Sequence, residues 1–142
     1  MKLVFICLIV LLISPSFCDI WNNCGTPADK FTITSIEITP NPPVKNQNVS
    51  IVLNGTLSEV VSGGNIHFLL KYGFITLVNT NFPLCGNDPF LPSPCPLQQG
   101  PISKSVTEFI PSQVPSGQYS ANILIKDQNS NELACVDINL KL

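Results

Sequence analysis

The pattern of apolar residues restricts the fold more than any other feature of this sequence. In residues 19–142, apolar side chains alternate with polar ones in short runs, and proline, glycine or asparagine ends each run. Such alternation places successive side chains on opposite faces of a β-strand. No stretch of ten residues in this range has helical periodicity. The sequence therefore predicts an all-β chain.

Seven strands are predicted, at residues 31–39, 48–57, 65–72, 74–80, 102–110, 118–127 and 135–142. In the first predicted strand, the alternation of apolar and polar residues shifts by one position near Ser35. Such a shift is typical of a β-bulge. We expect a hairpin turn at residues 127–131 and a loop in the proline-rich segment 81–101. Seven short strands with turns at this spacing are typical of an immunoglobulin-like β-sandwich.

Residues 1–18 have the features of an export signal. Lys2 precedes an apolar run from Leu3 to Ile13, and Ser16 and Cys18 occupy the small-residue positions of a cleavage site. This run is too short to cross a bilayer as a helix, which takes about 20 residues. We expect a removed signal peptide and a single domain at residues 19–142, in a secreted or endolysosomal protein. An uncleaved anchor is the alternative.

Four cysteines follow the signal: Cys24, Cys85, Cys95 and Cys135. An even number in an exported chain indicates two disulfides, for which three pairings exist. The spacing favours a short loop between Cys85 and Cys95, and a link between the chain ends through Cys24 and Cys135. Zinc is the competing use of four thiols, but no C-x-x-C pair is present and the single histidine, His67, is remote in sequence.

Two N-glycosylation sequons support export. Asn48-Val49-Ser50 and Asn54-Gly55-Thr56 begin six residues apart in one predicted strand, so both asparagines share a face. A glycan is bulky and has to face solvent. We therefore expect Asn48 and Asn54 to carry glycans on the outside of the sandwich.

The charge argues against nucleic acid as a partner and against stable electrostatic anchoring on a membrane. Residues 19–142 contain six lysines, no arginine and nine acidic residues. A weakly acidic domain lacks the basic surface that binds nucleic acid, and it lacks the polybasic cluster that holds proteins on anionic membranes. We expect no nucleic-acid partner.

The sequence also lacks the groups of an active site. His67 is the sole candidate general base. It alternates with the apolar residues of its strand, so we expect its side chain on the opposite face from them. The carboxylates are scattered among turns and strand exteriors, and no Gly-x-Ser-x-Gly, His-Glu-x-x-His or phosphate-binding glycine loop occurs. We expect no catalytic residue, no metal site and no cofactor, and hence no enzyme.

Two alternatives remain open for the interior. The set of residues assigned inward includes Phe31, Phe68, Tyr72, Phe74, Phe109 and Tyr119. These side chains could fill a close-packed core about 10 Å thick. They could instead line a cavity in which an acyl chain gains ~0.8 kcal/mol per buried CH₂. Tyr119 follows Pro115-Ser116-Gly117-Gln118, a segment similar to the approach to a tyrosine corner.

Several motifs carry a resemblance to a known family. They are Trp21-Asn22-Asn23-Cys24-Gly25, the segment from Ile36 to Asn48, Leu84-Cys85 with Cys95-Pro96-Leu97 and Gly100, and the segment from Val114 to Tyr119 with Cys135. On these residues the chain resembles the ML-domain lipid-recognition family, most closely its phosphatidylglycerol/phosphatidylinositol transfer branch. Sterol-carrying members have an additional early cysteine pair where this sequence has Asn41-Pro42-Pro43-Val44.

The resemblance implies disulfides Cys24–Cys135 and Cys85–Cys95. It also implies an apolar lipid cavity between the sheets, lined here by Ile36, Ile38, Val49, Ile51, Leu53, Ile66, Phe68, Leu70, Leu77, Ile123, Ile125 and Ile138. The mouth is expected near Phe82 and residues 110–114. A charged headgroup could stay in water there, with a lysine such as Lys104 as a candidate partner.

Three functions are therefore compared. The leading hypothesis is a monomeric carrier that transfers a phospholipid between membranes through transient contact with them. The alternative is a sterol or glycolipid sensor that presents its ligand to a receptor. The third is an adhesion or structural sandwich with a solid core.

Overall fold

Eight β-strands form the regular structure of residues 19–86 and 94–142, which are the residues that the computed structural model describes. They are β1 (Trp21–Asn23), β2 (Phe31–Thr39), β3 (Gln47–Leu57), β4 (Gly64–Tyr72), β5 (Ile75–Pro83), β6 (Gly100–Ile110), β7 (Gln118–Asp127) and β8 (Glu132–Lys141). The all-β prediction is confirmed. The predicted signal peptide lies outside the described residues. In the two described ranges, no helix has the length and apolarity needed to cross a bilayer.

The strands form two antiparallel sheets, one in the order β1-β8-β7-β4-β5 and the other in the order β2-β3-β6. This arrangement confirms the predicted sandwich, with one strand more than expected. The additional strand is β1, which has three residues and places Trp21 opposite Ile138. Three residues are too few for a period-two pattern to show. β5 extends to Pro83, into the segment predicted as a loop, and proline is tolerated there because β5 is an edge strand.

Cross-strand partners confirm the two faces predicted for residues 48–57. β3 lies between β2 and β6, and Ile51 pairs with Ile38 on one side and with Val106 on the other. Directly opposite residues on antiparallel strands share a face. The register shifts between Ile33 and Ser35, which confirms the predicted bulge.

A cluster of buried leucine and valine side chains closes one end of the sandwich. Leu57, Val61, Leu84 and Leu133 are at most 3% exposed and pack against one another. Val61 and Leu97 pair through two backbone hydrogen bonds of 3.0 and 2.8 Å, which hold the loop after β3 against the segment before β6. Fully burying one such side chain contributes about 1.5–3 kcal/mol. We call this region the closed end.

Two disulfides restrain the chain around this framework. Cys24 is bonded to Cys135 with a Cα–Cα distance of 4.9 Å, and Cys85 to Cys95 with 5.5 Å. This is the pairing expected from the spacing and from the family resemblance. All four thiols are consumed, so the zinc alternative is wrong. In the chain-entropy model the long closure contributes ~4–5 kcal/mol and the short one somewhat under ~3 kcal/mol.

Two aromatic residues assigned to the interior lie outside it. Phe74 is 94% exposed, because it follows Gly73 in the turn between β4 and β5. Phe109 is 54% exposed, because β6 pairs it with Asn48 on the outer face of the three-stranded sheet. The inward assignment of both residues was wrong. A run of apolar residues at a strand end does not show which member turns outward.

Both predicted glycosylation sites lie on that outer face. Asn48 is exposed, whereas Asn54 is partly buried and donates a side-chain hydrogen bond of 3.1 Å to Ser35 Oγ. Glycan occupancy at the two sites stays a prediction, which intact-mass measurement before and after deglycosylation tests. Since the Asn54 amide already has a partner on β2, we expect Asn48 to be the more fully occupied site.

The predicted turn between β7 and β8 is built around Asp127. Its carboxylate accepts hydrogen bonds from the Asn129 and Asn131 backbone amides at 2.7 and 2.9 Å, and from the Asn131 side chain at 3.2 Å. Burial raises the pKa of this carboxyl, but the hydrogen bonds favour its ionised form more strongly, so the net pKa lies below the ordinary value. The turn prediction is confirmed.

The lowered pKa makes the turn sensitive to acid. Because the folded-state pKa of Asp127 is depressed, its contribution to stability is present above the unfolded pKa of about 3.9 and is lost as pH falls through the folded value. We expect Asp127→Asn to lower the free energy of unfolding near neutral pH and to flatten its decline on acidification. Urea denaturation at about pH 7 and about pH 3 measures both effects. Glu37→Gln, at an exposed position, is the control, and an unchanged pH dependence in Asp127→Asn would contradict the assignment.

Candidate functional site

The inner faces of the two sheets enclose an apolar cleft. On the three-stranded sheet, one face carries Ile36, Ile38, Val49, Ile51 and Leu53. On the five-stranded sheet, the facing set consists of Ile66, Phe68, Leu70, Ile123, Ile125 and Ile138. The structure thus brings eleven of the twelve predicted lining residues onto two inner faces. Their contact with a ligand stays a prediction.

These faces do not pack tightly against each other. Ile51 and Leu53 lie on the central strand of the smaller sheet, and Ile123 and Ile125 on the central strand of the larger one, yet all four side chains remain partly exposed. Close-packed interiors leave few voids as large as a water molecule. Solvent therefore reaches the middle of the cleft. The solid-core alternative requires these residues to be fully buried.

In the part of the chain that the structure describes, the two sheets approach each other along one side and not along the other. β2 approaches β8, whereas β5 and β6 make no comparable approach. The Cys85–Cys95 disulfide links the segment after β5 to the segment before β6, so these two edge strands lie on the same side. On β5, Ile75, Leu77 and Phe82 are 51%, 50% and 45% exposed. Among residues 19–86 and 94–142, no close approach of β5 to β6 is found, so we assign the opening to this gap. Phe82 lies on its apolar rim, whereas residues 110–114 follow the end of β6, and a ligand mouth at either place stays a prediction.

The twelfth predicted lining residue, Leu77, sits at an irregularity of β5. The register shifts between Leu70 and Lys71, so Val78 pairs with Leu70 and Thr76 with Lys71, and Leu77 has no direct partner. Val78 is thus the residue of this strand that shares the inner face with Leu70. The sequence pattern could not separate Leu77 from Val78, because adjacent apolar residues satisfy either register.

Hydrogen bonds tie together three segments at the end opposite the closed end. The Tyr119 hydroxyl donates to the Pro115 carbonyl at 2.7 Å, which confirms the tyrosine corner. The Tyr72 hydroxyl donates to the Ser116 carbonyl at 2.8 Å, and Lys45 Nζ donates to Ser116 Oγ at 2.6 Å. Loop 40–46, loop 111–117 and the β4–β5 turn therefore meet here. We call this region the open end, in contrast to the closed end. It is distinct from the opening between β5 and β6, which lies along one side of the sandwich.

The two tyrosines of the open end are packed together. Their ring centroids are 5.0 Å apart, with an interplanar angle of 49°. Burial raises the pKa of the Tyr119 phenol above its ordinary value, and the neighbouring Tyr72 adds to the increase. The raised pKa keeps the Tyr119 phenol protonated, and both hydroxyls donate hydrogen bonds to backbone carbonyls of the same loop. Their role is to hold loop 111–117 in place.

The structure places the candidate base away from the cleft. His67 lies on the outer face of the five-stranded sheet, where its Nε2 is 2.9 Å from Asn79 Oδ1. Among the described residues, no group of three or more His, Cys, Asp or Glu could hold a metal ion.

The surface has two depressions. One of about 260 Å³ lies near Leu69 on the outer face of the five-stranded sheet. The other, of about 400 Å³, lies beside Asp29 at the closed end. Neither depression lies between the sheets.

Comparison with known proteins agrees with this geometry. A family model described as "ML domain" matches residues 19–142. A Dictyostelium discoideum relative named "Putative phosphatidylglycerol/phosphatidylinositol transfer protein" is 47% identical over 134 residues, which cover 94% of this chain and 94% of the relative.

Two solved structures share the fold. A Niemann-Pick type C2 protein from the Japanese carpenter ant has a TM-score of 0.60 at 19% identity, over 85% of this chain and 97% of that one. Chicken MD-1, whose structure is a complex with lipid IVa, also has a TM-score of 0.60, at 16% identity over 85% of this chain and 86% of that one. At these identities the likeness establishes the sandwich fold.

Stability measurements test whether the cleft is open. We expect Leu57→Ala at the closed end to lower the free energy of unfolding by ~2–5 kcal/mol, as a packed core residue does. Phe68→Ala in the cleft should cost less than the ~3–5 kcal/mol of a packed aromatic, because its neighbours do not enclose it. Urea denaturation of the ligand-free protein measures both. An equal or larger loss for Phe68→Ala would show that the inner faces are packed.

Proposed function

This chain belongs to the ML-domain family, and we propose that the protein is a phospholipid carrier. It takes one lipid from a membrane, holds the acyl chains in the cleft and releases the lipid at a second membrane. No covalent step is involved. The similarity to a relative named for phosphatidylglycerol/phosphatidylinositol transfer supports a phospholipid as the cargo.

The observation that carries this proposal is the partial exposure of the apolar side chains on the two central strands. An apolar trough that water can reach is unfavourable when empty, since burial of apolar area contributes about 25 cal/mol per Å². An acyl chain removes this cost by displacing water from both faces. Sixteen methylenes would contribute on the order of 13 kcal/mol before the costs of ordering.

The opening suits a ligand with a polar end. The gap between β5 and β6 lies at the edges of both sheets, so the headgroup can remain hydrated while the chains occupy the apolar interior. A carrier of this kind needs neither a nucleophile nor a metal, in keeping with the outward position of His67. The disulfides and the sequence of residues 1–18 support an extracellular or endolysosomal compartment.

Membrane contact is assigned to the open end. Phe74 projects from the β4–β5 turn with 94% of its surface exposed, and Val44 in loop 40–46 is 44% exposed. Lys45 directly follows Val44, Lys71 lies three residues before Phe74, and Lys141 pairs with Gln118 close to the same turn. Exposed apolar groups beside lysines are attracted to the interface of an anionic bilayer. We expect this contact to be brief, because the patch is small.

Lipid transfer tests the proposed function. Native mass spectrometry of the protein purified from its own source should show a co-purifying phospholipid. Transfer of a fluorescent phosphatidylglycerol between donor and acceptor vesicles should exceed spontaneous exchange. A variant that keeps its fold but fills the trough, such as Ala121→Phe, should transfer more slowly.

The outcomes separate the three functions. Tight retention of one lipid with little vesicle transfer would favour the sensor that presents its ligand to a receptor. Absence of both bound lipid and transfer would reject the carrier and leave an exported structural sandwich.

A second measurement tests the membrane contact. Phe74→Ser should reduce the transfer rate between anionic vesicles about threefold to tenfold, because it removes an apolar anchor worth roughly 1 kcal/mol, and it should leave lipid retention unchanged. Val60→Ser is the matched control, since Val60 is 50% exposed but lies at the closed end. Equal effects of the two variants on transfer would rule out the open end as the contact surface.

A further inference from the structure

One cation lies on the inner faces of the described strands. Lys104 occupies the middle of β6, directly opposite Leu53, which in turn pairs with Ile36. Its neighbours on the same face of β6 are Ile102 and Val106, and all three side chains are partly buried. An ammonium group in apolar surroundings is unfavourable unless it reaches water or an anion.

The position of β6 determines what this lysine can reach. β6 is an edge strand and borders the opening across from β5. The alkyl stem of Lys104 can therefore lie along Leu53 and Val106 while its ammonium group points to the rim of the trough. The single ion pair among residues 19–86 and 94–142 joins Lys30 and Glu59, so Lys104 does not have a carboxylate partner there.

The other charges on the inner faces are arranged at the two ends. Asp127 is buried at the closed end, where the turn amides satisfy its carboxylate. Glu108 lies on the inner face of β6 opposite Val49, exposed and toward the open end. An anionic group that enters the opening is repelled by Glu108 and attracted by Lys104. The favourable site for negative charge is thus the middle of the β6 edge.

From this arrangement we propose that Lys104 is a specificity-determining residue that binds the phosphate of an anionic phospholipid at the β5–β6 opening. The proposal rests on the carrier function and adds the residue that selects the headgroup. The acyl chains lie deeper, against the faces that carry Phe68 and Ile123. A net negative headgroup gains from the ammonium group, whereas a zwitterionic headgroup brings its own cation and gains less.

Two lipid probes in one vesicle background test the proposal. Donor and acceptor vesicles are made of phosphatidylcholine, and each donor carries a trace of either labelled phosphatidylglycerol or labelled phosphatidylcholine, so the surface charge stays nearly constant. We expect wild type to transfer the anionic probe faster. Lys104→Met keeps the length and apolarity of the stem, and it should reduce this preference about threefold to tenfold. Lys104→Glu should invert the preference.

The controls separate this proposal from the carrier function. Lys126→Met removes a lysine from the outer face of the five-stranded sheet, where it pairs with Asn65, and should leave the preference unchanged. Added salt should weaken the preference of wild type but not that of Lys104→Met. If wild type and Lys104→Met transfer both probes with the same ratio, Lys104 does not select the headgroup and the carrier function stands. If wild type transfers neither probe and retains neither lipid in native mass spectrometry, both proposals fall.

Discussion

The packing of leucine and valine side chains at the closed end is the interaction on which the rest of the structure depends. Leu57, Val61, Leu84 and Leu133 join the ends of the strands from both sheets, and the Cys85–Cys95 disulfide restrains the neighbouring loop. Together with the approach of β2 to β8, this cluster holds the sheets in place. The sheets can therefore stay apart elsewhere without separating.

The two sheets pack against each other at one end and along one side only. Apolar side chains elsewhere in the sandwich are incompletely buried, so they stabilise the fold less than they would in a filled core. Side chains such as Ile51 and Ile123 are on central strands but keep part of their surface exposed. The two disulfides offset this loss by restricting the unfolded chain. The same incomplete burial gives the cleft its affinity for an apolar guest. Stability and lipid binding thus draw on the same surfaces, and the loops of the open end, held by Tyr72 and Tyr119, complete the frame.

The parts of the fold that depend on local chemistry were predictable. The alternation in residues 48–57, the bulge near Ser35 and the turn at Asp127 all agree with the structure, because period two and turn chemistry act over a few residues. The disulfide pairing followed from spacing and family resemblance. The errors occur at strand ends and short strands. Phe74 and Phe109 turn outward, β1 is too short to show a period, and Leu77 lies at a register shift.

By itself, the sequence determined which residues form most of the strands and which of them share a face. It could not determine how far apart the two faces stand, since alternation relates a side chain to its own strand and not to the sheet across from it. The tertiary structure decided that, within residues 19–86 and 94–142, β5 and β6 stay apart and that Lys104 lies at this edge among apolar neighbours. Both results depend on how the two sheets stack. Long-range packing at the closed end and between β2 and β8 controls this stacking.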